Sequence, residues 1–240
     1  MLDVTGLTDR AGAFRNIGFQ ARGGELVAIA GLAGSGKNEL GDVIVGERKR
    51  GDGEITVSGR SLDGRSIRAA QRAGIASVPP DRHRSGYVPQ LDVAENMTMS
   101  IVQRLGRGGF VLPRTRREAS TSLIQSVSLV PPRPELHVAG LSGGNQQKVV
   151  FARALALDPS VLVLSSPTAG VDIAAKDIIY ALIQEALERG VAIVLISDDL
   201  DEIQLASRVL VMFRGEIVAE LHEPAESQVV RAMEGMEQEA

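Results

Sequence analysis

The chain has 240 residues, 44% of them hydrophobic, which is enough for the buried core of one large α/β domain or two small ones and excludes a disordered chain. Lys and Arg number 26 against 30 Asp and Glu, for a formal charge of -4, so the overall balance asks for no nucleic-acid partner. Cysteine is absent, which removes disulfides, thiolate metal sites and cysteine nucleophiles together and fits a reducing compartment.

The N-terminus, MLDVTGLTDR, has no basic region followed by an apolar stretch, and no apolar run approaches the roughly 18 to 20 residues that span a bilayer. A soluble protein is expected, with any membrane contact made through a partner. Short apolar runs at Leu2 to Thr5, Ile17 to Gln20, Glu25 to Ala30 and Glu54 to Ser58 alternate with turn residues and predict strands. One of them, LVAIA, is continuous rather than alternating, as a strand buried on both faces must be, and it leads into a glycine-rich loop. A helix is predicted from about Gly36, carrying Leu40, Val43 and Ile44 inward. Residues from about 91 to 140 have few β-branched runs, several arginines and the loop-like stretch Val130 to Pro134, and predict a helical insertion. After it come Ser142 as an N-cap, a helix through Leu157, the buried strand VLVL at 161 to 164, and an amphipathic helix from about Ile173 to Arg189. That helix places Ile179, Leu182, Ile183, Ala186 and Leu187 on one stripe and stops at Gly190. The strand VAIVLI, a short helix around Leu200 to Ala206 and the hairpin VLVMFRGEIVAE complete the core, and the acidic tail beyond Glu220 is expected to be a frayed helix. The alternation predicts an α/β fold with a mainly parallel sheet, an antiparallel portion near the N-terminus and a helical subdomain. Residues 1–240 are expected to form a single domain, with about 1–90 and 141–225 as its core and about 91–140 as the helical subdomain.

The loop Gly31, Leu32, Ala33, Gly34, Ser35, Gly36, Lys37, Asn38 follows a buried strand and opens a helix, the context a phosphate loop requires. Glycines 31, 34 and 36 leave room for successive N–H groups to face a triphosphate while the helix presents its positive end, and Lys37 supplies a point charge for the β and γ phosphates. A Ser or Thr hydroxyl normally reaches Mg²⁺ at position 38. The amide oxygen of Asn38 can ligate a hard cation, although Mg²⁺ tolerates poor geometry badly; equally, Asn38 sits comfortably in the first turn of a helix.

The segment LSGGNQQKVVFARAL exposes the Ser142 hydroxyl and the N–H groups of Gly143, Gly144 and Asn145 at a positive helix end suited to a phosphate. Placed one helix and one short loop before VLVLSSPTAGVD and downstream of a phosphate loop, it resembles the signature of the ABC ATPase family across essentially the whole chain. LSGGNQQK, together with GIASVPPDRHRSGYVPQLDVAENMTMS, resembles the second, C-terminal ATPase half of bacterial monosaccharide importers; purine-nucleoside importers are similar. The resemblance implies the P-loop ABC ATPase fold and a head-to-tail sandwich with a second ATPase half. In that sandwich one ATP, with Mg²⁺, lies between the P-loop of one half and the signature of the other. Ser142, Gly143, Gly144 and Asn145 would complete the partner's site, and Gly170 to Asp172 match the D-loop that touches the opposing P-loop. Transmembrane permease subunits are implied as partners, and a periplasmic or lipoprotein sugar-binding protein indirectly. The implied location is cytoplasmic, on the inner face of the membrane.

Against that pattern, the Asp that holds the magnesium shell and the Glu that polarises water are replaced by Ser165 and Ser166. The H-loop His is replaced by Asp198, and the Q-loop position falls on Pro80. A serine hydroxyl carries no charge at neutral pH, and loss of a general base alone costs roughly 10² to 10⁴ in rate. No catalytic residue is therefore expected to be intact. Asp198 or Asp199 as a substitute base would repel the phosphates beside it. The expected function is the ATP-binding half of a sugar importer with its own hydrolytic site degenerate. The alternatives are a non-hydrolysing regulatory module and the corresponding half of a nucleoside importer. Arg104, Arg107, Arg114, Arg116 and Arg117 around GGFVLP read as a solvated helical face, since only Phe110 interleaves them. His83, in DRHRSG, lies in the segment that resembles the permease-facing side. His137 and His222 lack neighbours at ligand spacing, and no protein-built metal site is expected beyond the weak Mg²⁺ candidate Asn38.

Overall fold

The computed structural model describes residues 1–62, 66–106 and 110–236; Arg107 of the basic stretch and the last four tail residues lie outside them. In chain order the elements are β1 (Leu2–Asp9), β2 (Ile17–Ala21), β3 (Leu26–Ala30), α1 (Lys37–Ile44), β4 (Arg50–Val57), β5 (Arg60–Ser61), α2 (Ile67–Arg72) and β6 (Ile75–Val78). There follow a turn of π-helix (Arg82–Gly86), α3 (Val93–Thr98), α4 (Val102–Leu105), α5 (Pro113–Ser126), α6 (Gly143–Leu155) and β7 (Val161–Ser165). The chain continues through α7 (Ile173–Glu188), β8 (Ala192–Ser197), α8 (Leu200–Ile203), β9 (Arg208–Phe213), β10 (Glu216–His222) and α9 (Glu226–Met233). Two compact units result. The first comprises residues 1–77, 160–166 and 186–240, the second 78–159 and 167–185.

The first unit holds both sheets. An antiparallel sheet in the order β2-β1-β4-β5 forms the N-terminal part, and a six-stranded sheet runs β10-β9-β3-β8-β7-β6. In the latter β3, β7, β8 and β9 are mutually parallel, with β10 closing an edge as an antiparallel hairpin. Every residue of β3 and β8 is buried, as their unbroken apolar sequences require of central strands. The fold is thus the α/β architecture expected, mainly parallel with an antiparallel N-terminal portion. Leu40 and Ile44 of α1 enter the same apolar core as Val27 and Ile29 of β3 and Val194 and Ile196 of β8. Gly41 allows the close approach, because a Cβ there would stand 2.3 Å from Ile196 Cδ1.

The second unit is mainly helical. Here α3 packs against α5 and α6, and Asp92 opens α3 with a capping box closed by Glu95. No helix among the described residues is long and apolar enough to cross a membrane.

Several boundaries differ from those expected. The first strand runs on to Asp9 rather than stopping at Thr5, because pairing with β4 resumes beyond a bulge. Helix α6 ends at Leu155, two residues before Leu157, and Asp158 takes a left-handed φ of 52° ahead of Pro159. Helix α8 ends at Ile203, beyond which Leu205 and Ala206 donate to carbonyls three residues back and tighten the chain. The tail is not frayed over its described length: Val229, Ala232 and Met233 of α9 are buried, and the helix packs on β9 and β10.

Asp9, at the end of β1, organises the turn that follows. Its carboxylate accepts from the N–H groups of Ala11 and Ala13 at 3.1 and 2.9 Å, and Arg48 Nε and Nη2 donate to it at 2.7 and 2.8 Å. The Arg48 guanidinium and these N–H groups outweigh the cost of burial and hold the Asp9 carboxyl at about 2, below its ordinary 3.8. A depressed carboxyl stabilises the fold above its ordinary value and ceases to do so as protons return. About 2 kcal/mol of stability is therefore expected to fade as the pH falls from roughly 4 to roughly 2. Chemical denaturation of Asp9→Asn across this range should show a lower stability at pH 7 and a flatter pH dependence than the parent.

Candidate phosphate site and signature edge

Parallel pairing places Ala30 beside Ser197 and Ser165 beside Ile196. The carboxyl ends of β3, β7 and β8 therefore deliver three segments to one edge: loop 31–36, Ser165 with Ser166, and Asp198. In open α/β sheets this edge is where ligands bind.

The loop is shaped by its glycines. A Cβ on Gly31 would meet Met212 O at 2.6 Å, and one on Gly36 would meet Ala13 O at 2.6 Å. Gly34 and Gly36 have φ of 81° and 95°, a region costly for other residues. Ser35 N–H donates to Leu32 O at 3.1 Å, and Gly215 N–H donates to Ser35 O at 2.9 Å. The loop thus stands on two supports, the turn ordered by Asp9 and the tip of the β9–β10 hairpin. Leu32, Ala33 and Gly34 face solvent, whereas Ser35, Gly36 and Lys37 are buried. Helix α1 begins at Lys37 with no side chain capping its first turn, so its leading N–H groups remain donors for an anion. Ser35 Oγ is buried with no protein hydrogen-bond partner. The Lys37 side chain is only 4% exposed, and its ammonium lies 3.7 Å from Asp198 Oδ2. A cation so enclosed requires an anion at its tip.

Ser165 ends β7, and Ser166 turns the chain with φ of 42°, its N–H donating to Ile196 O at 2.8 Å. A Cβ on Gly41 would stand 3.7 Å from Ser165 Oγ, so the middle of α1 lies against this serine. Asp199 serves structure: one carboxylate oxygen accepts from Asp201 N–H at 3.0 Å at the start of α8. Its own N–H donates to Ser197 Oγ at 3.0 Å, and that hydroxyl donates to the buried Glu202 at 2.5 Å. The oxygens at the end of β7 beside the loop are thus two neutral hydroxyls; the others are the exposed amide of Asn38 and the Asp198 carboxylate, which is already paired with Lys37. An ion that prefers anionic oxygen in strict octahedral geometry is poorly matched by this set. Among the described residues no three His, Cys, Asp or Glu side chains form a metal cluster.

The second unit carries the signature. Ser142 stands at the N-cap of α6, but its hydroxyl accepts from Asn145 Nδ2 at 2.9 Å instead of from a backbone N–H. Asn145 Oδ1 in turn accepts from Val130 N–H at 3.1 Å. Gly144 is packed so closely that a Cβ would stand 2.4 Å from Ala175 Cβ and 3.4 Å from Asp172 Oδ2. Asp172 opens α7 by accepting from Ala175 N–H at 2.9 Å. Arg82 ties these parts together, donating to Ala169 O at 2.8 Å, to Gly170 O at 3.0 Å and to Gln146 Oε1 at 3.4 Å. This role of Arg82 was not legible in DRHRSG, since two of its three acceptors are backbone carbonyls of a distant segment. Gln147, whose side chain donates to Pro167 O at 2.7 Å, was likewise missed. His83 accepts or donates at 2.8 Å with the Tyr87 hydroxyl. In the basic stretch, Arg104 donates to Leu157 O, Arg114 pairs with Glu118 and Arg116 with Glu95.

The ABC transporter family model matches residues 14–169. The ribose import ATP-binding protein RbsA of Geobacillus kaustophilus (strain HTA426) is 38% identical over 237 residues, covering 98% of this chain and 48% of that protein. A xylose import ATP-binding protein XylG of Burkholderia ambifaria is 44% identical over 204 residues, covering 84% of this chain and 39% of that protein. The chain therefore spans half or less of the length of the relatives it matches. Among solved structures, a nucleotide-free ATP-binding cassette from an ABC transporter superposes with a TM-score of 0.81 at 20% identity, covering 98% of this chain and 95% of that one. A dimeric ATP-binding cassette in a post-hydrolysis state, bound to ADP and Pi, gives 0.80 at 23% identity, covering 94% and 100%. At these identities the likeness concerns the fold.

Proposed function

This chain belongs to the ABC transporter family, and we propose that it is the ATP-binding half of a bacterial importer for simple sugars. Its own site holds nucleotide without efficient hydrolysis, and its signature completes the site of a second ATPase half. The observation that carries this reading is the asymmetry between the two edges. The loop retains its glycines and the enclosed Lys37, yet Ser165 and Ser166 stand at the end of β7 with no negative charge to offer. Ser142 to Asn145 meanwhile keep an uncapped helix start. In this arrangement the phosphates lie on N–H groups of residues 33 to 38 other than Ser35, whose N–H is taken by Leu32 O, with Lys37 reaching the β and γ phosphates. Mg²⁺ is held mainly by the nucleotide, Asn38 adding at most a neutral oxygen.

Relatives named for ribose and xylose import favour a sugar over a nucleoside as cargo. Permease subunits supply the membrane contact from the cytoplasmic side, and a sugar-binding protein acts through them. The loss of both carboxylates also favours a regulatory reading of the site, in which nucleotide closure gates the partner's hydrolysis.

The test is calorimetric titration of the chain with ATP, together with phosphate release measured with and without the N-terminal half of such an importer. ATP binding with background turnover alone, and stimulated turnover in the mixture, is the expected result. Hydrolysis by the isolated chain near the rate of an intact ATPase would sink the degenerate-site reading.

A further inference from the structure

The carboxylate at the loop's edge has a consequence for which nucleotide the site prefers. Lys37 is nearly enclosed and Asp198 half exposed, with 3.7 Å between ammonium and carboxylate. Asp198 is not free to swing away on a loose loop. The preceding Ser197 is fixed beside Ala30 by the parallel register, and its hydroxyl binds both Glu202 and the Asp199 N–H. The following Asp199 is engaged at the start of α8. Backbone on both sides of Asp198 is therefore anchored, which keeps the carboxylate within reach of the tip of the lysine.

A triphosphate lying on a glycine loop has its inner phosphates on backbone N–H groups, and the lysine reaches its β and γ phosphates. Any phosphate that takes the Lys37 ammonium must share it with the Asp198 carboxylate. Two anions then stand within a few ångströms of one another, where like charges repel appreciably even when partly solvated. A diphosphate brings only its β-phosphate to the shared Lys37 ammonium, whereas a triphosphate brings its γ-phosphate as well. A triphosphate must displace or crowd the carboxylate. Neutral Ser165 and Ser166 supply no charge for a bridging cation that would relieve this repulsion.

We infer that Asp198 is a specificity-determining residue that sets this loop to prefer a nucleoside diphosphate over the triphosphate. The inference rests on the reading that the loop binds nucleotide at all. The experiment is titration of the full chain, the half-exposed Asp198→Asn variant and Asp198→Ser with ADP and with ATP. Both nucleotides are measured in EDTA and again with Mg²⁺, and a thermal melt of each variant controls for folding. The wild-type chain is expected to bind ADP at least as tightly as ATP. Both variants should tighten ATP by about tenfold while changing ADP by less than about threefold, and the gain should shrink in high salt. Binding of both nucleotides with an unchanged ATP-to-ADP ratio in the variants overturns the inference and leaves the nucleotide reading standing. Absence of binding to wild type and variants alike overturns the nucleotide reading and the inference with it.

Discussion

Substituting Ser165 by Asp together with Ser166 by Glu is expected to raise ATP turnover at this chain's own site by about 10²-fold or more. Ser165 closes β7 beside the middle of α1, where a Cβ on Gly41 would stand 3.7 Å from its hydroxyl, so an Asp there places a carboxylate at the sheet edge that also carries the loop. That carboxylate supplies the anionic oxygen, not already paired with Lys37, that Mg²⁺ lacks in the present set. Position 166 already pays for a left-handed backbone with φ of 42°, a cost on the order of 1 kcal/mol that Glu bears much as Ser does. Neither substitution alone should achieve the effect, because a general base without a positioned metal, or the reverse, leaves the reacting unit incomplete. Phosphate release must be read in the presence of a partner half whose own phosphate-loop lysine has been replaced, so that only this site contributes. The residual deficit should be smaller in a triple variant carrying Asp198→His. Unchanged turnover in a double variant that still folds and binds ATP would mean that the two hydroxyls are not what limits the site.

The parts legible in the sequence were those written in local pattern. LVAIA, VLVL and VAIVLI announce central strands because burial on both faces demands unbroken apolar runs, and the phosphate loop and signature announce themselves by glycines at fixed spacing. What could not be read was set by pairing between distant segments. The register that puts Ser197 beside Ala30 is what brings Asp198 to Lys37; local pattern does not encode that meeting, and only the family resemblance, which puts Asp198 at the H-loop position, set it beside the phosphates. Arg82 answers to carbonyls at Ala169 and Gly170, acceptors that every residue carries and that no motif marks. Asp9 carries no motif and received no role from the sequence, yet its carboxylate gathers four donors and orders the turn beneath the phosphate loop. The C-terminal helix was obscured differently: its acidic composition hid the stripe of Val229, Ala232 and Met233 that packs it down.

Replacing Gly144 by Ala is expected to lower hydrolysis at the partner's site by about 10²-fold while leaving nucleotide binding to this chain's own loop within about twofold. The first turn of α6 meets the first turn of α7 at this glycine, where an added Cβ would lie 2.4 Å from Ala175 Cβ. Ordinary contact requires roughly a further ångström or more, so the start of the signature helix must move off α7 by that amount. Arg82 resists the movement, since it fixes Gln146 of α6 and the carbonyls of residues 169 and 170 together. The displacement therefore falls on the N–H groups of residues 143 to 145, which a partner's terminal phosphate would have to meet. A misplacement of about 1 Å in such a constellation costs on the order of 10² in rate. The compensating change Ala175→Gly removes the methyl group that the new one strikes, and the double variant should recover most of the lost turnover. That recovery separates crowding at one contact from a general loss of stability, which a second glycine in a helix would deepen rather than repair. Failure of Ala175→Gly to restore turnover, with melting temperatures of all variants near the parent's, would mean that the spacing between α6 and α7 does not set the position of the signature.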